Sequence, residues 1–312
     1  MRGLLRSLAA GALLLAGSLA WAQADMRAEL RGKLEAQLKS IDESFHGVFG
    51  AELIDLTDGQ RMGRHADWVF PTASTIKVAI LVELFRQAER KPGLLKKQRA
   101  FVSSAQTADD GLARLIGPGS ELAVGDLARL MINLSENTAT NLLIDELGME
   151  RVNALTASLG LETIRLQRRM LDFASESNDH ENLASPAQAA SLMARIARCE
   201  LPLTRESCAA MLQILEIPKE PFPATDPIPK DIPVAFKPGD LDGVLAAWAF
   251  VDLPGRPYAF AIMTSYGTDN ATAVRTASQA AFDYFSRLAR ANRYGARVPS
   301  VPPPQKSQEP GR

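Results

Sequence analysis

Phe70-Pro71-Thr72-Ala73-Ser74-Thr75-Ile76-Lys77-Val78-Ala79-Ile80-Leu81, FPTASTIKVAIL, is the stretch on which the reading turns. A turn of small residues runs straight into apolar residues at helical spacing, which predicts a helix from Ser74 to about Arg90. Ser74 opens that helix and Lys77 follows three residues later, on the same face. One interpretation is a capping serine and a stray charge. The other is a nucleophile beside its base. A lysine held among apolar residues and near other cations loses affinity for its proton. It can then take the proton of a neighbouring hydroxyl. The helix N-terminus adds backbone N–H groups and positive potential at the same point.

Working outward, residues 26–44 carry the helical stripe Leu30, Leu34, Leu38 and Ile41. Residues 47–56 read as a strand, Thr57-Asp58-Gly59 as a turn, and residues 60–69 as a returning strand. Residues 91–215 read as mostly helical, with a polar surface loop between Gln167 and Leu183. After a Pro-rich connector, 217–233, three apolar runs read as strands, and residues 270–293 form a last amphipathic helix. Strands at both ends and helices between predict an α+β sandwich. One antiparallel sheet is built from both chain ends and covered by terminal helices, with an all-helical lobe inserted. The α/β lobe is expected over 26–73 and 217–293, and the helical lobe over 74–216. A cleft between them is the default site.

The 312 residues are 46% hydrophobic and 23% charged, enough for a substantial core. A net charge of −1 without a basic block gives no nucleic-acid signature. The three histidines, His46, His65 and His180, have no metal-ligand spacing, so no metal or other cofactor is expected. Residues 1–22 have the build of a secretory signal: Arg2 and Arg6, an apolar core from Leu8 to Leu19, and Ala20-Trp21-Ala22 for cleavage before Gln23. That predicts a periplasmic or secreted protein without a stable membrane span. Residues 296–312 are Pro-rich and read as a disordered tail. Cys199 and Cys208 could be bridged in an oxidising compartment, with two buried free thiols as the alternative. A monomer is the default.

Two further groups bear on Ser74 and Lys77. Ser135-Glu136-Asn137 falls between two helical runs, where the serine could relay a proton and the asparagine grip a substrate amide. Lys237-Pro238-Gly239 lies in a strand-like run, where the glycine would let a substrate backbone approach. Each has a bland alternative, a capping turn and a strand end.

In this order the three groups resemble the S-x-x-K, S-D-N and K-T-G set of the penicillin-recognising serine enzymes, and most closely class A β-lactamases. The likeness runs from about residue 30 to 290 and takes in ASTIKVAILVELF, MINLSENTATNLLIDELG and LPGRPYAFAIMTSYG. The resemblance implies that Ser74 attacks a β-lactam carbonyl, Lys77 assists its deprotonation, and Ser135 passes a proton to the departing nitrogen. It implies that Asn137 orients the substrate amide. Lys237 and Gly239 bind substrate, with Lys237 supplying positive charge. The backbone N–H groups of Ser74 and Asp240 would form the oxyanion hole. β-Lactam catabolism and antibiotic resistance are the associated roles.

Three positions depart from that pattern. Glu136 replaces aspartate, a mild change. Pro238 replaces threonine, which removes a hydroxyl that would hydrogen-bond a substrate carboxylate and removes a backbone N–H as well. In the large loop the family's R-x-E-x-x-L-N aligns with Arg168 to Ala174, placing Met170 where the water-activating glutamate should stand. Asp172, Glu176 or Glu181 could substitute if the loop is reshaped. The expectation is intact acylation with slow deacylation. The alternatives are a penicillin-binding-protein-like hydrolase of cell-wall peptides or esters, or a non-catalytic binding module on the same fold.

Overall fold

A computed structural model describes residues 26–100, 115, 119–292 and 294–297. The signal segment 1–22 and the tail beyond Arg297 lie outside these residues. Ala291 and Arg297 pair in an isolated bridge, so paired backbone extends two residues into the segment read as tail.

Helix α1 covers residues 26–44. Strands β1 (Val48–Asp55) and β2 (Arg61–Arg64) form the early hairpin, and the short β3 (Phe70–Pro71) leads to a 3₁₀ turn, Ala73–Ile76. Then come α2 (Lys77–Arg90), β4 (Gln98–Ala100), β5 (Glu121–Ala123), α3 (Val124–Asn133), α4 (Asn137–Leu147), α5 (Met149–Ser158) and α6 (Phe173–Glu176). After β6 (Leu183–Ala184) follow α7 (Pro186–Arg198), α8 (Arg205–Glu216), β7 (Val234–Leu241), β8 (Val244–Val251), β9 (Tyr258–Ser265) and α9 (Asn270–Ala289). The helix expected at Ser74 therefore begins as a 3₁₀ turn. The region read as mostly helical also contains the β4–β5 pair, in register through Arg99 and Leu122.

The five-stranded sheet has the order β2-β1-β9-β8-β7, so both chain ends contribute and β7 is an edge. Every pairing is antiparallel. β8 and β9 are buried at every position because both faces of the sheet are covered. Side chains alternate between the faces. On one face Tyr258, Phe260 and Ile262 meet Leu34 and Leu38 of α1 and Val274, Ala277, Ala281 and Phe285 of α9. The Tyr258 and Phe285 rings stack at 4.1 Å. On the other face Ala259, Ala261 and Met263 belong to the core shared with the helical segment. That face is closed by α7, which packs on β9, β1 and β8. Ser185 caps α7 by accepting from the Gln188 N–H, and Pro186 starts it. Cys199 and Cys208 form a disulfide joining the end of α7 to α8.

β3 pairs with β6 through Phe70 and Ala184. This ties the approach to Ser74 to the end of the 167–183 loop. The Asn182 carbonyl also accepts from the Thr72 N–H (2.9 Å) and hydroxyl (3.1 Å).

Candidate active site

Ser74 and Lys77 are brought together by the 3₁₀ turn. At three residues per turn, positions i and i+3 eclipse. Lys77 Nζ stands 3.0 Å from Ser74 Oγ. The residue before the serine, Ala73, has φ +46°, a left-handed conformation that a non-glycine residue adopts at a cost. The turn is pinned by Thr75, whose hydroxyl donates to the Thr72 carbonyl at 2.7 Å.

The link between α3 and α4 delivers the second group. Ser135 is also left-handed, φ +55°. Glu136 caps α4 by accepting from the Ala139 N–H through Oε2, while its Oε1 has no hydrogen-bond partner among the described residues. Lys77 Nζ reaches Ser135 O at 2.8 Å, Ser135 Oγ at 3.1 Å and Asn137 Oδ1 at 2.7 Å. Lys77 itself is fully buried.

The third group comes from β7. Lys237 is fully buried and donates to Ser135 Oγ at 3.0 Å and to the Pro238 carbonyl at 2.9 Å. Burial first, then the charges of Lys77 and Lys219, push its pKa well below the ordinary lysine range. Pro238 is tolerated because β7 is an edge strand, where a missing N–H need not break the sheet. Gly239 is required by space. A Cβ there would stand 2.7 Å from the Thr72 carbonyl oxygen and 3.0 Å from the Ser74 nitrogen. β7 thus lies against the Ser74 turn, and Asp240, next along the strand, is exposed beside it.

The large loop gives a different result. Met170 is buried in the helical core with only 7% of its surface exposed. Asn141 grips its backbone on both sides: Oδ1 accepts from the Met170 N–H at 2.8 Å and Nδ2 donates to its carbonyl at 3.3 Å. The three acids considered as substitutes are each engaged elsewhere. Asp172 caps α6 and accepts from the Ser175 N–H and hydroxyl. The hydroxyl first, then the backbone N–H, hold its carboxyl below the usual range, which weakens it as a base. Glu181 and Glu176 pair with the Arg168 guanidinium at 2.9 and 3.2 Å. Ala174 lies within α6.

Sequence reasoning missed three residues that shape the site. Asn141 sits four residues after Asn137, one turn along the same helix, and that spacing was the available signal. Asn182 holds the loop by accepting from the Gln167 and Arg168 N–H groups at 2.7 and 3.1 Å. Lys219 carries a pKa lowered to about 8, by burial, and lies 4.8 Å over the Phe236 ring. Among the described residues no His, Cys, Asp and Glu cluster could hold a metal ion, and no helix is long and apolar enough to cross a membrane.

An antiparallel sheet interrupted by helices, with a serine–lysine pair packed under its edge strand, defines the β-lactamase/transpeptidase-like fold. The chain belongs to the Beta-lactamase enzyme family, whose profile matches residues 33–285, as a class A β-lactamase-like member. It is 32% identical over 161 residues to β-lactamase L2 of Stenotrophomonas maltophilia, covering 50% of this chain and 52% of that one. It is 30% identical over 168 residues to β-lactamase CTX-M-25 of Escherichia coli, covering 54% and 55%. The chain spans about half the length of the curated relatives it matches. Among solved structures, PBP-A superposes with a TM-score of 0.75 at 27% identity, covering 82% of this chain and 97% of that one. A β-lactamase from Sphaerobacter thermophilus gives 0.73 at 27%, covering 81% and 97%.

Proposed function

We propose that this chain is an exported serine hydrolase that opens β-lactams through an acyl-serine intermediate and releases the product slowly. The observation that carries the reading is the line Ser74 Oγ, Lys77 Nζ, Ser135 Oγ, Lys237 Nζ, with separations of 3.0, 3.1 and 3.0 Å.

In this reading Lys77, in its neutral form, takes the Ser74 proton as Oγ attacks the lactam carbonyl. The developing oxyanion is met by the N–H groups of Ser74 and Asp240. When the carbon–nitrogen bond breaks, Ser135 gives its proton to the departing nitrogen and regains one from Lys77. Lys237 holds the Ser135 oxygen, and Asn137 orients the substrate amide and Lys77. Deacylation needs a water and a base for it, and Met170 at the family's glutamate position cannot accept a proton. Export is supported by the leader pattern at residues 1–22 and by the Cys199–Cys208 disulfide, a bond suited to an oxidising compartment.

A second reading, a hydrolase of cell-wall peptides or esters, is favoured by Met170, Pro238 and the likeness to PBP-A. A PBP-A mutant has been solved as its acyl-enzyme complex with penicillin G, with a TM-score of 0.75 and 26% identity to this chain. Intact mass after exposure to benzylpenicillin tests the primary reading. It predicts an adduct of the whole penicillin, on the Ser74 peptide and absent in Ser74→Ala. A lasting lack of adduct contradicts it, and product analysis on peptide and ester substrates then decides for or against the second.

A further inference from the structure

The start of α1 and the end of α9 meet around a cavity of about 570 Å³, with Leu30, Pro229, Phe282 and Leu288 as apolar walls. Four arginines, Arg27, Arg287, Arg290 and Arg297, stand around it, and Asp283 is the one carboxylate in the lining. All four arginines are exposed. None of them makes an ion pair or a side-chain hydrogen bond among the described residues. Asp283 accepts from Gln279 at 3.0 Å, and Glu29 and Glu35 pair with Lys33 and Arg31 along α1 itself. On a chain of net charge −1 this is a local excess of positive charge that only folding creates, because the ends of the chain bring it together. Helix ends account for half of it. Arg287 and Arg290 complement the negative end of α9. Arg27 lies in the first turn of α1, where the helix field disfavours a cation, and Arg297 lies on no helix.

Apolar tips accompany the charges. Met26 lines the cavity and is 52% exposed, and Tyr294, between the lining residues Asn292 and Gly295 in the chain, is 54% exposed. Cations around exposed apolar tips are the composition of a surface that lies on a membrane: guanidinium groups reach lipid phosphates while the tips enter the headgroup boundary. The chain's own flanking segments do not complement the arginines. Residues 298–312 carry Lys306 and Arg312 against Glu309, and residues 1–25 carry Arg2 and Arg6 against Asp25. The position along the chain agrees with a membrane partner. The apolar leader run ends at Leu19, and an extended link from there to Met26 spans at most about 25 Å. A leader held in the membrane would therefore hold this face close to it.

We propose that this arginine-ringed face docks on an anionic phospholipid surface and keeps the protein at the membrane after its leader is removed. Lipid phosphates neutralise the four arginines, and Met26 and Tyr294 enter the headgroup layer. The catalytic candidates stay open in this pose. α1 and α9 cover one face of the sheet, whereas Gly239, packed against Ser74, shares the other face with Ala235. The proposal goes beyond the acyl-serine reading and does not depend on it.

The test is co-sedimentation of the exported chain with vesicles of phosphatidylcholine alone and of phosphatidylcholine mixed in equal parts with phosphatidylglycerol. All variants share the wild-type chain ends, so differences between them report on this face. The expected result is binding to the phosphatidylglycerol vesicles only, with release when salt rises from about 0.1 M to about 0.5 M. Arg287→Gln with Arg290→Gln should weaken that binding by about tenfold or more, and Arg287→Lys with Arg290→Lys should largely keep it. Met26→Ser should weaken it at unchanged charge. Melting curves separate lost binding from lost fold. Equal binding to both vesicles, binding to neither, or a glutamine pair that binds like wild type overturns the proposal. Release by inorganic phosphate at constant ionic strength overturns it in favour of a small-anion site. A lipid-free dimer that the glutamine pair dissolves overturns it in favour of a second copy of the chain.

Discussion

Lys77 and Lys237 converge on a single hydroxyl: their amines stand 3.1 and 3.0 Å from Ser135 Oγ. Two buried lysine amines sharing one hydroxyl as acceptor is an unfavourable arrangement for folding. It is a useful one for moving a proton, because the charge of Lys77 adds to burial in lowering the hold of Lys237 on its own proton.

Lys77→Met keeps the length and apolar character of the stem and removes the base. Acylation by a penicillin is expected to fall by about 10²–10⁴-fold. Thermal stability is expected to hold or rise, since a buried amine disappears. Stopped-flow labelling and a melting curve on the same sample check both halves. A variant that acylates at the wild-type rate removes Lys77 from the mechanism.

Met170→Glu places a carboxylate where the resemblance to class A β-lactamases would put the water-activating residue. Its backbone is already held by Asn141, so the new side chain starts from a fixed point. Release of the acyl group is expected to accelerate by about 10²-fold or more. The variant should also be less stable, because an apolar side chain that is 7% exposed becomes ionisable. The lifetime of the acyl-enzyme, read by mass spectrometry, gives the answer. An unchanged lifetime means that slow release has another cause.

Gly239→Ala should slow acylation without unfolding the protein. The added methyl meets the Thr72 carbonyl at 2.7 Å and the Ser74 nitrogen at 3.0 Å, so β7 must withdraw from the turn. Withdrawal separates the two N–H groups assigned to the oxyanion, and losing one such donor costs about 10²–10³ in rate. Labelling kinetics beside a far-ultraviolet spectrum separate a lost site from a lost fold.

Lys219 supplies a pH signature. Its pKa falls to about 8 in the folded protein, through burial, against about 10.4 for a free lysine. Between these values the unfolded chain binds more protons than the folded one, so stability rises with pH. Wild type should therefore gain stability relative to Lys219→Met between pH 8 and about 10.4 and show no relative gain below pH 7. Lys237 is lowered mainly by its own burial, which both proteins share, so only the smaller effect of the Lys219 charge on it enters the difference. Urea midpoints at pH 7, 8, 9 and 10 measure it, and a gap that narrows or reverses sign over that window contradicts the assignment.

The candidate site was legible through the order of its three groups, which resemble the S-x-x-K, S-D-N and K-T-G set; the spacing of Ser74 and Lys77, or the strand around Lys237 and Gly239, taken alone left a capping serine and a strand end as alternatives. The remainder depended on contacts distant in sequence. Asn141 meets Met170 across 29 residues, and no property of either residue alone names that partner. The amphipathic stripe of α7 shows that it packs, without showing that it packs on the sheet. β4 and β5, at three residues each, are too short for a period of two to register. The opening turn of the nucleophile helix is 3₁₀ and Ala73 in it is left-handed, and composition carries no trace of either.

The most direct measurement of the central claim is a fluorescent-penicillin label followed over time, with Ser74→Ala as the control. The account predicts a label that requires Ser74 and persists for hours. A label that clears within seconds contradicts slow deacylation, and a label that survives the Ser74→Ala change, or never forms, contradicts the acyl-serine mechanism itself.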